Sequence, residues 1–253
     1  MDRLAQSPIT LAIVLSLVLS CRGQSAPPPA SASPVLVELF TSEGCSDCPP
    51  AERLLAQLDS AQPVPGVHAI VLEEHVTYWD RQGWRDPFSL DEVTDRQKQY
   101  QSRFSLDDVF TPQMVVDGTV QFVGNDGRAL EAALTSAATT QKQSIAIENA
   151  HWRNGTAEFT VHSATPSGAK LIAILAADAT QSQVLAGENA GKTLHHVAVV
   201  RVIREIKPEE ANARPLKLSN SSLKGSARLV VFLVDHKTGH VLAVAEQNLT
   251  NAQ

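Results

Sequence analysis

Glu38-Leu39-Phe40-Thr41-Ser42-Glu43-Gly44-Cys45-Ser46-Asp47-Cys48-Pro49-Pro50 is the stretch on which the reading of this chain turns. Before it, Val35-Leu36-Val37 opens an apolar, β-favouring run to Phe40 that reads as a buried strand. After it, Ala51, Leu54, Leu55 and Leu58 fall on one helical face. Two cysteines with two residues between them, placed between a strand and a helix, form the arrangement of a redox dithiol. The unpaired N–H groups and positive end of the helix dipole favour a thiolate at Cys45, and Cys48 is placed to close the disulfide. A structural disulfide in an exported protein and half of a metal site are the competing readings. Structural zinc takes four ligands, and no second Cys-x-x-Cys or closely spaced His pair accompanies this one.

The chain has 253 residues, 43% hydrophobic and 19% charged, enough for one large or two modest globular domains. A net charge of -6 leaves no basic footprint, so nucleic acid is not the expected partner. Ile9–Leu19 is an apolar run of signal-peptide length, and Val18-Leu19-Ser20-Cys21 resembles a bacterial lipobox. Residues 1–21 are therefore read as a signal peptide lipidated at Cys21, with an ordinary secretory signal cleaved further on as the alternative. Residues 22–34, rich in Pro, Ala and Ser, read as a flexible tether. The expected location is the periplasm or cell envelope, anchored to a membrane, where a disulfide can persist.

Further along, Pro63-Val64-Pro65-Gly66 ends the first helix. Val67–Leu72 reads as a second buried strand continuing through Glu73-Glu74-His75-Val76, and residues 77–88 as a long loop. Ser89-Leu90-Asp91-Glu92 fits a capping box opening a helix to about Phe104, whose thin apolar face of Val93, Tyr100 and Phe104 suggests a surface position. Asp117-Gly118 signals a hairpin pairing Gln113–Val116 with Thr119–Val123. Asn125-Asp126-Gly127 can cap a helix carrying Leu130, Ala133, Leu134 and Ala137. The order strand, helix, strand, inserted helix, hairpin, helix predicts an α/β thioredoxin-like domain with a helical insertion over residues 35–143. From Ser144 short alternating runs recur between turn signals, and residues 144–253 read as a separate, mostly antiparallel, sandwich-like β domain.

The candidate chemistry centres on Cys45 as nucleophile and Cys48 as resolving thiol, with no diffusible cofactor. Thr111-Pro112 stands where a thioredoxin-like fold places a cis-proline against the dithiol, and the cis form is expected. Glu43 and Asp47 flank Cys45 and disfavour a thiolate. His75 is a candidate proton acceptor, or a third ligand with Cys45 and Cys48 for copper or zinc, against a plain structural role. Trp79 and Trp84 read as packing groups or a peptide-binding wall. Gly187-Glu188-Asn189-Ala190-Gly191 reads as a shaped turn, and the adjacent His195 and His196 face opposite ways in a strand.

Phe40–Ala51, His75–Asp80, Gly83–Phe88, Thr111–Gln113 and Gly187–Gly191 together resemble a family of exported bacterial proteins, the domain-of-unknown-function 1223 family. The resemblance implies a thioredoxin-like N-terminal domain carrying Cys45, Cys48 and Pro112, and supplies no substrate. Asp47 stands where the family usually has a small residue, Thr77 where it has aspartate, and His195 where arginine is common. The expected activity is thiol–disulfide exchange with a protein substrate or redox partner. The alternatives are a metal-binding module and a structural envelope protein with a fixed disulfide.

Overall fold

The computed structural model describes residues 32–211 and 215–250. Residues 1–31, which hold the expected signal peptide, Cys21 and most of the expected tether, lie outside the described residues. The first half contains β1 (Ser33–Thr41), α1 (Cys48–Ala61), β2 (Val67–His75), α2 (Asp91–Phe104), β3 (Gln113–Val116), β4 (Val120–Val123) and α3 (Gly127–Ala137). The second contains β5 (Ile145–Arg153), β6 (Thr156–Ser163), β7 (Ala169–Gln183), β8 (Thr193–Ile206), the single turn α4 (Pro208–Ala211), β9 (Leu216–Ser219), β10 (Ala227–Asp235) and β11 (Val241–Leu249).

The strands assemble into an eight-stranded mixed sheet in the order β11-β10-β7-β8-β2-β1-β3-β4 and a three-stranded sheet, β5-β6-β9. This mostly β architecture overturns the expected α/β thioredoxin-like domain followed by a separate β domain. The physical reason lies at β2. Its far edge does not bound a small sheet; β8 runs parallel beside it, with Glu73 opposite Val199. Four strands of the C-terminal half thereby continue the N-terminal sheet, and a pairable edge is covered.

Side-chain alternation divides the sheet into faces. Val35, Val37 and Leu39 of β1 and Ala69 and Val71 of β2 pack under α1 and α3, against Leu55, Leu58, Leu130 and Leu134. Leu36 and Phe40, with Ile70 and Leu72, face the other way onto Val93 and Tyr100 of α2, in one cluster with Ile174, Val230 and Phe232 from the C-terminal strands. Leu171, Ala173, Leu175, Leu229, Val231 and Leu233 meet Trp152, Phe159 and Val161 of the smaller sheet.

Helix α2 lies at the surface, with Asp91, Glu92, Asp95, Lys98, Gln99 and Ser102 exposed, but its inner face is more than the thin apolar one expected. It buries a polar face: Arg96 Nε donates to Glu38 Oε1 at 2.5 Å, Tyr100 Oη to Glu38 Oε2, and the Arg96 guanidinium lies 5.1 Å from the Phe232 ring centre. The capping box does not form either; the Ser89 hydroxyl turns back to Asp80 and the Asp86 carbonyl. The Asp117-Gly118 hairpin does form, both residues taking positive φ (50° and 67°).

Candidate functional site

Residues 42–47 turn the chain from β1 into α1 through backbone bonds from Cys45 N to Ser42 O and from Cys48 N to Cys45 O. Cys45 and Cys48 lie at disulfide distance with their Cα atoms 5.4 Å apart. Both are buried, 2% and 0% exposed. Pro49 and Pro50 occupy the first turn of α1, where a missing N–H costs no helical bond. They also remove two of the N–H groups expected to face a thiolate, leaving mainly the helix dipole for that role. The Cys45 sulfur lies 3.8 Å from the Thr111 carbonyl oxygen, and the Thr111–Pro112 bond is cis. Trp79 Nε1 donates to the Thr111 hydroxyl at 2.8 Å, so Trp79 braces this wall.

The turn is held from outside as well. Asn189, fully buried in the loop between β7 and β8, donates through Nδ2 to the carbonyls of both Glu43 and Cys45, at 2.8 and 2.9 Å. Its neighbour Glu188 accepts from Ser46 N at 2.9 Å, and the Ser46 hydroxyl first, then this N–H, lower the Glu188 pKa. Glu43 N donates to Asp86 Oδ2 at 2.8 Å. The Gly187–Gly191 segment, read from sequence as a shaped turn, is thus a clamp on the dithiol loop.

Behind the turn lies a buried polar cluster that grows from strand alternation. Glu73 and His75 of β2 share the α1 face, where α1 contributes Glu52 and β8 contributes His196; all four are at most 3% exposed. His75 Nδ1 bonds Asp86 Oδ2 at 2.7 Å and its Nε2 lies 3.2 Å from Glu73 Oε1. His196 Nδ1 bonds the same Glu73 Oε1 at 2.5 Å, and its Nε2 bonds Glu43 Oε1 at 3.1 Å. Glu43 also accepts from Trp84 Nε1 at 2.8 Å and from the Ser182 hydroxyl. Glu73 Oε2 accepts from Val197 N at 3.0 Å, and Glu52 Oε1 from the Thr41 hydroxyl at 2.7 Å. The two imidazole rings meet edge to face at 4.8 Å, with Phe88 against both.

The electrostatics follow from this pairing. Burial alone would lower the pKa of His75, but the charge and hydrogen bond of Asp86, with Glu73, raise it well above 6.5. Burial likewise opposes protonation of His196, yet bonds to Glu43 and Glu73 bring it up to about 9. Glu73 feels the same desolvation in the raising direction, and the two histidines more than reverse it. Glu52, chiefly through burial and then the charge of Glu73, is raised to about 7.

The structure brings Cys45, Cys48 and Thr111 together. It groups His75 not with the cysteines but with Glu73 and His196. Glu43 is buried and matched by His196, whereas Asp47 is exposed and makes no side-chain cap to α1. Sequence reasoning missed Glu52, Glu73, Asp86, Asn189 and His196 as members of the site. One signal was available: Val71-Leu72-Glu73-Glu74-His75 in a strand buried on both faces must carry ionisable groups into both of them.

No curated protein matches the chain. Among solved structures it is similar to protein AGR_C_4864 from Agrobacterium tumefaciens, with a TM-score of 0.62 at 21% identity over 87% of this chain and 95% of that one. It is also similar to HBP35 of Porphyromonas gingivalis, with a TM-score of 0.61 at 13% identity over 88% of this chain and 77% of that one. At these identities the likeness is one of fold. Residues 36–234, which hold the dithiol, its clamp and the buried cluster, match the family described as protein of unknown function (DUF1223), and the chain belongs to that family.

Proposed function

We propose that this protein is an exported thiol–disulfide oxidoreductase of the cell envelope, tethered through a lipid on Cys21. The observation that carries the reading is the Cys45–Cys48 pair at disulfide distance in the turn between β1 and α1, its first sulfur beside the Thr111 carbonyl. In the reducing direction the Cys45 thiolate attacks a substrate disulfide, forming a mixed disulfide and expelling one substrate thiolate. Cys48 then attacks Cys45; the second substrate thiolate leaves and Cys45–Cys48 is oxidised, so two electrons pass to the substrate. Oxidation of a substrate dithiol is the reverse. Because Cys45 is only 2% exposed, exchange with a protein substrate requires the turn, or the Gly187–Gly191 clamp, to move aside.

Insulin reduction by the dithiothreitol-coupled protein tests the reading. Wild type should exceed Cys45→Ser by at least ~100-fold, and Cys48→Ser should accumulate a mixed disulfide. Equal rates for wild type and Cys45→Ser, with no trapped intermediate, would end it. Cys21→Ala should move the protein from the membrane to the soluble fraction; persistence in the membrane removes the anchor. The same burial of both sulfurs supports a second reading, a fixed structural disulfide, whose mark is a reduction potential below about -300 mV.

A further inference from the structure

We infer that Glu73, His75 and His196, with Glu52 as fourth ligand, form a closed site for one divalent cation of the zinc class. This site is separate from the dithiol and does not rest on the redox reading. Each of the four side chains has one polar atom anchored outward and the other turned inward. Glu73 gives Oε2 to Val197 N and leaves Oε1 facing both histidines. Glu52 gives Oε1 to Thr41 and leaves Oε2 3.9 Å from His196 Nδ1. His75 spends Nδ1 on Asp86, and His196 spends Nε2 on Glu43, so Nε2 and Nδ1 respectively point to Glu73.

An imidazole whose outer nitrogen is held by a carboxylate is the usual state of a metal-bound histidine, because that bond fixes tautomer and ring orientation. Here two rings carry it. The ligand atoms of Glu73, His75 and His196 lie within 4.8 Å of one another. Metal–ligand bonds near 2.0–2.2 Å in a tetrahedron require ligand atoms ~3.3 Å apart, so on loading the 2.5 Å contact between His196 Nδ1 and Glu73 Oε1 opens, the widest pair closes by up to about 1.5 Å, and Glu52 Oε2 moves in from 3.9 Å. Two imidazole nitrogens and two carboxylate oxygens suit zinc or a neighbouring first-row ion rather than calcium or magnesium. Full burial makes the site closed and structural rather than open and catalytic. As the divalent ion enters, it displaces the proton between each ring and Glu73 and any proton held by Glu52, while each ring keeps the one donated to Asp86 or Glu43.

The test is metal content of the full chain, expressed without an affinity tag, equilibrated with Zn(II) or Co(II) and desalted. About one ion per chain is expected, and the Co(II) form should show visible d–d bands without a thiolate charge-transfer band. The Cys45→Ser/Cys48→Ser variant should retain its metal, while His75→Gln/His196→Gln should lose at least ~90% of it with an unchanged circular dichroism spectrum. Should that pair fail to fold, Glu52→Gln is expected to weaken Zn(II) binding roughly ten-fold or more. Folded wild type holding under about a tenth of an ion per chain overturns the inference, as does metal that persists without the histidines or departs with the cysteines.

Discussion

Asn189 places one side-chain nitrogen between two carbonyl oxygens, those of Glu43 and Cys45, in a fully buried position. Replacing it with alanine would strand the Glu43 carbonyl, leave the Cys45 carbonyl with only its bond from Cys48 N, and deprive the Lys192 ammonium of its bond to Asn189 Oδ1. Each stranded buried acceptor costs about 1–3 kcal/mol, and water entering the vacated space offsets part of that. Asn189→Ala should therefore destabilise the fold by roughly 1–3 kcal/mol in urea unfolding. It should also speed dithiothreitol reduction of the Cys45–Cys48 bond several-fold, because the clamp over the turn is lost. A reduction rate equal to wild type would mean that the clamp does not govern access. A similar economy of space surrounds Gly124, where a methyl group would stand 3.0 Å from Pro112 Cβ and 3.1 Å from Ala51 Cβ. No side chain fits between the proline wall and α1.

Helix α1 is fastened to the C-terminal strands by a charge cluster far from the cysteines. Arg228 of β10 gives both terminal nitrogens to Asp59, at 2.6 and 2.8 Å, and its Nε to Asp178 at 2.6 Å. Glu246 of β11 is the third carboxylate around that guanidinium and the worst served, 3.6 Å from Nη1. Burial first, then the charges of Asp59 and Asp178, raise its pKa above the ordinary 4.5 against the pull of Arg228. The folded chain thus binds this proton more tightly than the unfolded chain does. The contribution is in full force below pH 4.5 and is lost as pH rises through the elevated folded value. Glu246→Gln removes this dependence. Its urea midpoint relative to wild type should rise as pH increases above ~4.5 and level off once pH passes the raised folded value, ending within about 1 kcal/mol above wild type. A relative midpoint that is flat or falls with pH would contradict the raised pKa. At this scale the sequence was legible wherever hydrophobic period and turn chemistry agree. The Asp117-Gly118 hairpin and the Asp126 cap, which accepts from Arg128 N and Ala129 N, follow from local residues alone. The buried polar face of α2 was not legible, because Arg96 and Gln97 look like solvated residues until Glu38 and Gln113 are set against them.

For the molecule as a whole, the decisive pairing is β2 with β8, and no local signal announces it. Glu73 sits opposite Val199 across more than a hundred intervening residues, and its carboxylate extends the junction by accepting from Val197 N. Hydrophobic runs show that strands exist, not which edge each will find, so the sequence reading stopped each sheet at residue 143. The same gap hid His196, whose burial depends on β8 lying beside β2. Shared packing then binds the segments: Phe232 and Val230 lie in one cluster with Leu36, Ile70 and Tyr100. Lys142 bridges Asp117 of the β3–β4 turn at 2.6 Å and the Val241 carbonyl of β11 at 2.8 Å. A chain wired this way should unfold as one cooperative unit. The tryptophans allow the check, since Trp79 and Trp84 report on the dithiol side and Trp152, bonded to the Gly225 carbonyl, on the smaller sheet. Urea transitions of Trp152→Phe and of Trp79→Phe/Trp84→Phe, each followed by its remaining indole fluorescence and by circular dichroism, should coincide between probes within each variant. Indole and backbone signals separated by more than about 0.5 M urea in either variant would show that the segments before and after residue 143 unfold independently despite their common sheet.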